Sequence, residues 1–590
     1  MPSPKPLHLI TLPLLLSVSL SVQATPADEP CAETAQVRLW TSPAHPARGQ
    51  MFKIMAVATD EPVDSLSLTG PESAPRTIPS TPRGGPPWSL GAEMTWTGDA
   101  PLRIEARRGG EMIACRIIKP GSGQATSPPD WNLPTEAFYS AWIEQLFDAP
   151  VDENLSFKSL APVLRDPERN FLHNHLGNDE DLRLPATPDC ADLPYFLRSY
   201  FAWKIGLPVS YRACDRGTSS RPPHCGAPIV DDRLAGGEAP ASTFNSLMRK
   251  IADTVHSGSA RTDLSDEATD FYPVPLRRDS LWPGTVYADP YGHTLILVKW
   301  VPQTAGQSGL LLAADAQPDN SVARKRFWEG NFLFAQLRSA GPGFKAFRPL
   351  LAANDHLTLP RNTQLAVNSP TAPYSDEQAA LDPDEFYARI EKILNPRGLT
   401  PERAYDAMLD ALVEQLNTRV GAIENGNDWR QHHTQATIPM PAGPAIFETM
   451  GPWEDYATPS RDMRLLIAMN VLEQLPDRIV THPDLFQLDG SGPDAARDTL
   501  SARHERESRE RHFSYRRSDG SSWELSVADV LARRAALEMG YNPNDCPEMR
   551  WGAPVNSEEA STCNRRAPAD QQNRMNDYKV WFHNTQRPAR

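Results

Sequence analysis

The sequence predicts a multidomain protein with an N-terminal β-sandwich, a central α+β region and a mostly helical C-terminal region. Three observations carry this expectation. Short alternating strands, separated by Pro and Gly turns, fill residues 31–118. Helix-like and strand-like segments then mix over residues 135–349. From residue 382 to 590 apolar residues recur mainly at helical spacing. A chain of 590 residues has room for about three or four domains at roughly 150 residues each. With 40% hydrophobic and 23% charged residues it can bury several cores. Its 58 prolines, about twice the usual share of roughly 5%, predict proline-bearing connections. A formal net charge of −15 argues against a general nucleic-acid binder, because phosphate contact needs a basic face.

Residues 1–24 read as an export signal. Lys5 supplies a positive start, an apolar stretch runs from about Leu7 to Val22, and Val22-Gln23-Ala24 is a small-residue cleavage site. The stretch is short and proline-bearing, and no later run of 18 apolar residues follows. The mature chain is therefore expected to be exported, periplasmic or extracellular, with no stable membrane insertion. The sandwich strands are expected at Gln36–Trp40, Met51–Val57, Ser65–Leu68, Leu102–Ala106 and Met112–Ile118. Residues 121–134 read as a linker, and a helix begins at Thr135. Residues 350–380 read as loop. The clearest C-terminal helices are FYARIEKIL, AYDAMLDALVEQL, RDMRLLIAMNVLEQL and ELSVADVLARRAALEMG. No internal repeat is evident.

Seven cysteines become informative in an oxidising compartment. Cys31 and Cys115 bracket the strand-rich region. Cys214 and Cys225 close a short loop, and Cys546 and Cys563 close a turn-rich segment. Three such disulfides leave Cys190 over, either a reactive thiol or a buried inert one. Sequence alone does not prove the pairing.

Asp189-Cys190-Ala191-Asp192-Leu193-Pro194 reads as the entry of a helix that stops at Gly206, followed by the strand-like Leu207-Pro-Val-Ser-Tyr-Arg212. A cysteine at a helix N-terminus meets the positive end of the dipole and unpaired N–H groups, which favours thiolate. His293 opens the apolar run Thr294–Val301, and Asp315 closes the run Gly309–Ala314. Adjacent antiparallel strands would set Asp315 beside His293. A thiolate attacks an acyl carbon, an imidazole takes and returns the proton, and a carboxylate fixes the ring tautomer.

The text D-C-A-D-L, the helix after it and I-G-L-P-V-S-Y-R resemble the transglutaminase-like cysteine hydrolases. G-H-T-L-I-L-V and L-L-L-A-A-D are similar to that family's His and Asp strands. The likeness covers about residues 186–320. P-G-x-V…G-H also resembles the NlpC/P60 branch of the papain-like superfamily, which attacks cell-wall peptides. That branch usually shows D-C-S-G and a third polar His, which Ala191-Asp192 and Asp315 do not match. The resemblance implies a papain-like or transglutaminase-like core over residues 135–349, with residues about 214–280 as an insertion. It implies Cys190 as nucleophile, His293 as base and Asp315 as orienter, with Asp319 as the alternative orienter. The Cys190 backbone N–H plus one unidentified donor would form the oxyanion hole.

Other signals are weaker. His173-Asn-His175 with Asn178–Asp181 lacks the spacing and closing Glu of an EF-hand loop and reads as a solvated turn. Cys214, His224 and Cys225 lack the second half of a zinc site. Arg503–Arg517 mixes both charge signs and reads as a solvated helix face, and Trp453–Tyr456 as core or turn rather than a sugar-stacking patch. No cofactor and no metal is expected. Two readings follow. One is an exported thiol hydrolase or acyltransferase acting on a peptide or amide, cell-wall peptide being one candidate. The other is a non-enzymatic envelope binding protein with a degenerate core.

Overall fold

The computed structural model of the chain describes residues 31–70, 75–97, 100–119, 130–317, 320–353, 356–447, 449, 451–488, 490 and 492–588. The export signal, most of the linker reading and Asp319 lie outside the described residues.

The N-terminal strands form two four-stranded sheets. One runs in the order Val37–Ser42, Met51–Ala58, Trp88–Thr95, Thr81–Gly84 and the other Arg76–Ile78, Ser65–Thr69, Leu102–Arg108, Glu111–Ile118. Side chains alternate across a strand, so one strand can serve two cores. Along Met51–Ala58, Phe52, Ile54 and Ala56 enter the core between the sheets, while Met55 and Val57 face the central region's core. The sandwich is thus docked on its neighbour through buried apolar contacts, including Trp40 stacked on Phe138 at 4.4 Å. The Cys31–Cys115 disulfide joins the segment before the first strand to the last strand.

The central region is built on a seven-stranded antiparallel sheet. Its order is Phe271–Pro273, Gly343–Phe347, Val286–Ala288, Thr294–Val301, Leu310–Ala316, Val322–Arg326, Ser156–Phe157. Both faces are covered. Ile296, Val298, Leu312 and Ala314 share a core with helices Leu133–Leu146 and Asp192–Ile205. Leu295, Leu297, Leu311 and Ala313 share a second core with Phe386, Tyr387 and Ile390 of helix Pro383–Leu394. Helix Leu133–Leu146 starts two residues earlier than expected, because Asn132 Oδ1 accepts from the Thr135 N–H and Pro134 fits the first turn.

Much of the segment 214–280, read as an insertion, is packed into the central region. Ile229–Asp231 pairs with Val209–Tyr211, and Phe244, Leu247 and Ile251 of helix Ala241–Ala252 are fully buried in the central core. Phe271–Pro273 is an edge strand of the main sheet. Polar text hid these contributions because only one residue in three or four of a surface helix is apolar.

In the C-terminal region, helices Pro401–His432, Pro459–Thr481 and Pro493–Glu510 contribute to one core. Each begins on a proline, whose missing N–H costs nothing at that position. Two readings are revised. Residues 350–380 hold a hairpin, Leu351–Ala353 with His356–Thr358, and a helix Asn362–Asn368. Within ELSVADVLARRAALEMG only Glu524–Ser526 is strand, while Val527–Ala532 and Arg534–Leu537 are helical as expected; with the end of the Arg503–Arg517 segment those residues give a hairpin, His512–Arg516 with Ser522–Ser526. There Phe513, Tyr515 and Leu525 bury a period-2 face. No helix among the described residues is long and apolar enough to cross a membrane.

Candidate active site

Local chain geometry places His293. Asp289 to His293 form the turn between strands Val286–Ala288 and Thr294–Val301. The Asp289 N–H donates to His293 O at 2.9 Å, and Asp289 Oδ1 accepts from the Tyr291 N–H at 2.8 Å. Gly292 closes the turn at φ 115°, a conformation that side chains disfavour. His293 then stands at the mouth of the strand, its ring parallel to Phe332 at 6.4 Å.

His293 Nε2 lies 2.9 Å from Asp315 Oδ2. The same oxygen accepts from Lys325 Nζ at 2.9 Å and Gln317 Nε2 at 2.7 Å. Asp315 is buried in strand Leu310–Ala316. Burial alone would raise its carboxyl. Lys325 and His293 outweigh that and hold it well below the usual carboxylate range. Burial depresses His293 more than Asp315 raises it, with Arg464 and Lys325 adding to the depression. The ring is therefore a neutral base at neutral pH, oriented by an ionised carboxylate. Among the described residues its other nitrogen, Nδ1, makes no hydrogen bond.

Cys190 is the one free cysteine, and the other six form the three expected disulfides. It is half-buried in the turn before helix Asp192–Ile205, and the backbone N–H of Thr294, the residue after His293, faces its sulfur. No hydrogen bond joins Cys190 to the His293 ring. Asp315 lies at an odd position on its strand, on the sheet face of Leu311 and Ala313. Helix Asp192–Ile205 packs on the other face. Cys190 thus reaches this strand at the Thr294 backbone rather than at the imidazole.

The expectation of a dipole-stabilised thiolate is corrected. The helix starts at Asp192, not Cys190, and the acceptor at its N-terminus is Asp189. Asp189 Oδ1 accepts from the Ala191 N–H at 2.8 Å and the Asp192 N–H at 2.9 Å. Those are the donors a sulfur would have used. Burial, with Asp189, Asp315 and Asp192 nearby, pushes the Cys190 thiol up to about 12, against the Thr294 N–H. Asp192 is itself pushed up to about 7 by burial and Asp189. The resting group is a thiol, so attack requires a base to remove its proton as the bond forms.

Sequence reasoning missed four groups. Asp189 carried a legible signal, since an Asp just before a helix is a preferred cap. Lys325 and Gln317 sit on and beside strands next to Asp315, a pairing that only the register reveals. Arg261 is buried, donates to Pro290 O at 3.3 Å and lies in the electrostatic range of both Asp289 and Cys190. It is a cation placed to steady negative charge at the sulfur.

The remaining candidates resolve into structure. Glu180 and Asp181, expected in a solvated turn, are buried and both pair with Lys204 Nζ, the Asp181 contact at 2.8 Å. His175 Nδ1 meets Ser42 Oγ at 3.0 Å. His224 meets Asp266 Oδ2 at 3.1 Å beside the Cys214–Cys225 disulfide. Trp453 is buried, with its indole N–H on Ile446 O. Among the described residues, the cluster Cys546, Glu548 and Cys563 has its two sulfurs bonded to each other, which removes them as metal ligands.

No protein-family model matches this chain, and no curated protein and no solved structure is significantly similar to it.

Proposed function

We propose that this protein is an exported thiol hydrolase or acyltransferase of transglutaminase-like type, acting on a peptide or amide. Cys190 is the nucleophile, His293 the base and Asp315 the orienter. The observation that carries the reading is the His293 Nε2–Asp315 Oδ2 pair at 2.9 Å, with Cys190 the sole free thiol and set against the next backbone N–H. Three disulfides and the leader-like start agree with an exported chain.

In this reading substrate arrival completes the site. The Cys190 sulfur bonds to the carbonyl carbon as His293 Nδ1 takes the thiol proton, and the imidazolium is balanced by Asp315. The proton then passes to the leaving amine, leaving a thioester. Water, deprotonated by His293, releases the acid; an amine in its place gives transfer. The Thr294 N–H and Arg261, both of which act on the sulfur, are candidate donors for the developing oxyanion.

The test is incubation of the purified chain with a panel of peptides, simple amides and cell-wall peptides, read as newly formed amine. Activity lost in Cys190→Ser and reduced in His293→Ala supports the reading. Turnover that survives Cys190→Ser would overturn it. The raised thiol and the absent Cys190–His293 hydrogen bond favour a second reading, a non-enzymatic envelope binding protein on the same core. It predicts no turnover on any member of the panel.

A further inference from the structure

A cleft lies between the Asp315 end of the sheet and the C-terminal helices. Gln317 and Lys325, two of the three groups that hold Asp315, line it from the sheet. Arg419, Arg461 and Arg464 line it from helices Pro401–His432 and Pro459–Thr481, and Glu414 is the one carboxylate in its wall. Two of these guanidinium groups are incompletely satisfied. Arg464 Nε is buried without a hydrogen-bond partner, and among the described residues Arg464 makes no ion pair. Arg419 spends Nε and Nη2 on Asp462, at 2.9 and 2.6 Å, but its buried Nη1 has no partner. A buried N–H without an acceptor is costly, more so on a charged group. Its charged side chains are four cations, Lys325, Arg419, Arg461 and Arg464, against the single carboxylate of Glu414.

We propose that this cleft binds an oxyanion, a carboxylate or phosphate group, with Arg464 as its principal ligand and Arg419 Nη1 and Lys325 beside it. A guanidinium presents a planar fork that matches two oxygens of such a group. Lys325 Nζ shares Asp315 Oδ2 with His293 Nε2, each at 2.9 Å, so the cleft adjoins the carboxylate that holds the proposed base. That the oxyanion belongs to the substrate rests on the function proposed above; its binding in the cleft does not.

The test is isothermal titration of the full chain with sodium succinate and, separately, inorganic phosphate, against sodium chloride at matched ionic strength. Saturable one-site binding is expected for at least one of the two. It weakens about tenfold or more in Arg464→Gln, as expected for loss of a charge-assisted hydrogen bond. Arg464→Lys, which keeps the charge but not the fork, falls between. Tighter succinate binding assigns a carboxylate, and tighter phosphate binding a phosphoryl group. Cys190→Ser is expected to bind as the parent does, so failure of the nucleophile assignment leaves this result standing. Binding no stronger than chloride, binding unchanged in Arg464→Gln, or binding lost in Cys190→Ser would each overturn the proposal.

Discussion

Lys325 Nζ lies 2.9 Å from Asp315 Oδ2, the same carboxylate oxygen that holds His293 Nε2. The buried orienting carboxylate is therefore neutralised from the neighbouring strand, which keeps it ionised while the ring stays uncharged. Removing the Asp315 charge would leave Lys325 facing a neutral partner and His293 without its counter-charge.

Acid stability follows from the direction of that shift. Asp315 is lowered on folding, so its contribution is present above the unfolded Asp value of about 3.9 and is lost as pH falls from there toward the folded value. His293 is lowered too and acts in the same direction, starting near its unfolded value of about 6.5. Denaturant midpoints measured from pH 7 to 3 are expected to fall steeply in the parent and less steeply in Asp315→Asn. At pH 7 the substitution is expected to cost about 3 kcal/mol, as for one partner removed from a buried pair. Equal slopes below pH 4 would show that Asp315 is not held as described.

Asp189 sets the reactivity of Cys190. Its carboxylate both occupies the helix N–H donors and raises the thiol. Asp189→Asn keeps an acceptor for the cap but removes the charge. Iodoacetamide labelling of the parent at Cys190 is expected to be slow at neutral pH and to rise into the alkaline range. In Asp189→Asn the profile moves toward lower pH, with labelling about tenfold faster for each unit the thiol falls. Rapid labelling of the parent near pH 6 would contradict this arrangement of charges.

Glu144 gives a prediction away from the site. It is buried on helix Leu133–Leu146, and burial pushes it up to about 7, with Lys299 opposing. A folded value above the unfolded one means stability is present below about pH 4.5 and is lost as pH rises through 7. Glu144→Gln is expected to be the more stable protein at pH 8, by on the order of 2 to 3 kcal/mol, and near parity at pH 5. Chemical denaturation at the two pH values checks it, and a destabilised variant at pH 8 would refute it.

The parts of this molecule legible in the sequence are those governed by local periodicity. The sandwich strands, the helix after Asp192 and the strands after His293 and before Asp315 all announce themselves by spacing. Cys214–Cys225 and Cys546–Cys563 are legible through sequence proximity, at separations of 11 and 17, and Cys31–Cys115 through its bracketing of the strand-rich region. The buried role of residues 241–273 was not, because Phe244, Leu247 and Ile251 are sparse apolar points in polar text. Lys325 and Gln317 at Asp315 depend on strand register, which sequence does not print. The state of Cys190 is not legible from the helix dipole, because the carboxylate of Asp189, one residue earlier, takes the N–H donors that would favour a thiolate. Arg464 comes from a helix about 150 residues beyond Asp315, and only tertiary packing brings it near His293.

The central claim is that His293 deprotonates Cys190 for attack on an acyl carbon. Intact-mass analysis after mixing with an activated p-nitrophenyl ester tests it most directly. The account predicts one acyl group, placed on Cys190 by peptide mapping and released by hydroxylamine as a thioester. Its formation is expected to slow by about 10²- to 10⁴-fold in His293→Ala and to vanish in Cys190→Ser. Absence of the adduct, or formation at the same rate in His293→Ala, would contradict the account and leave the binding-protein reading in its place.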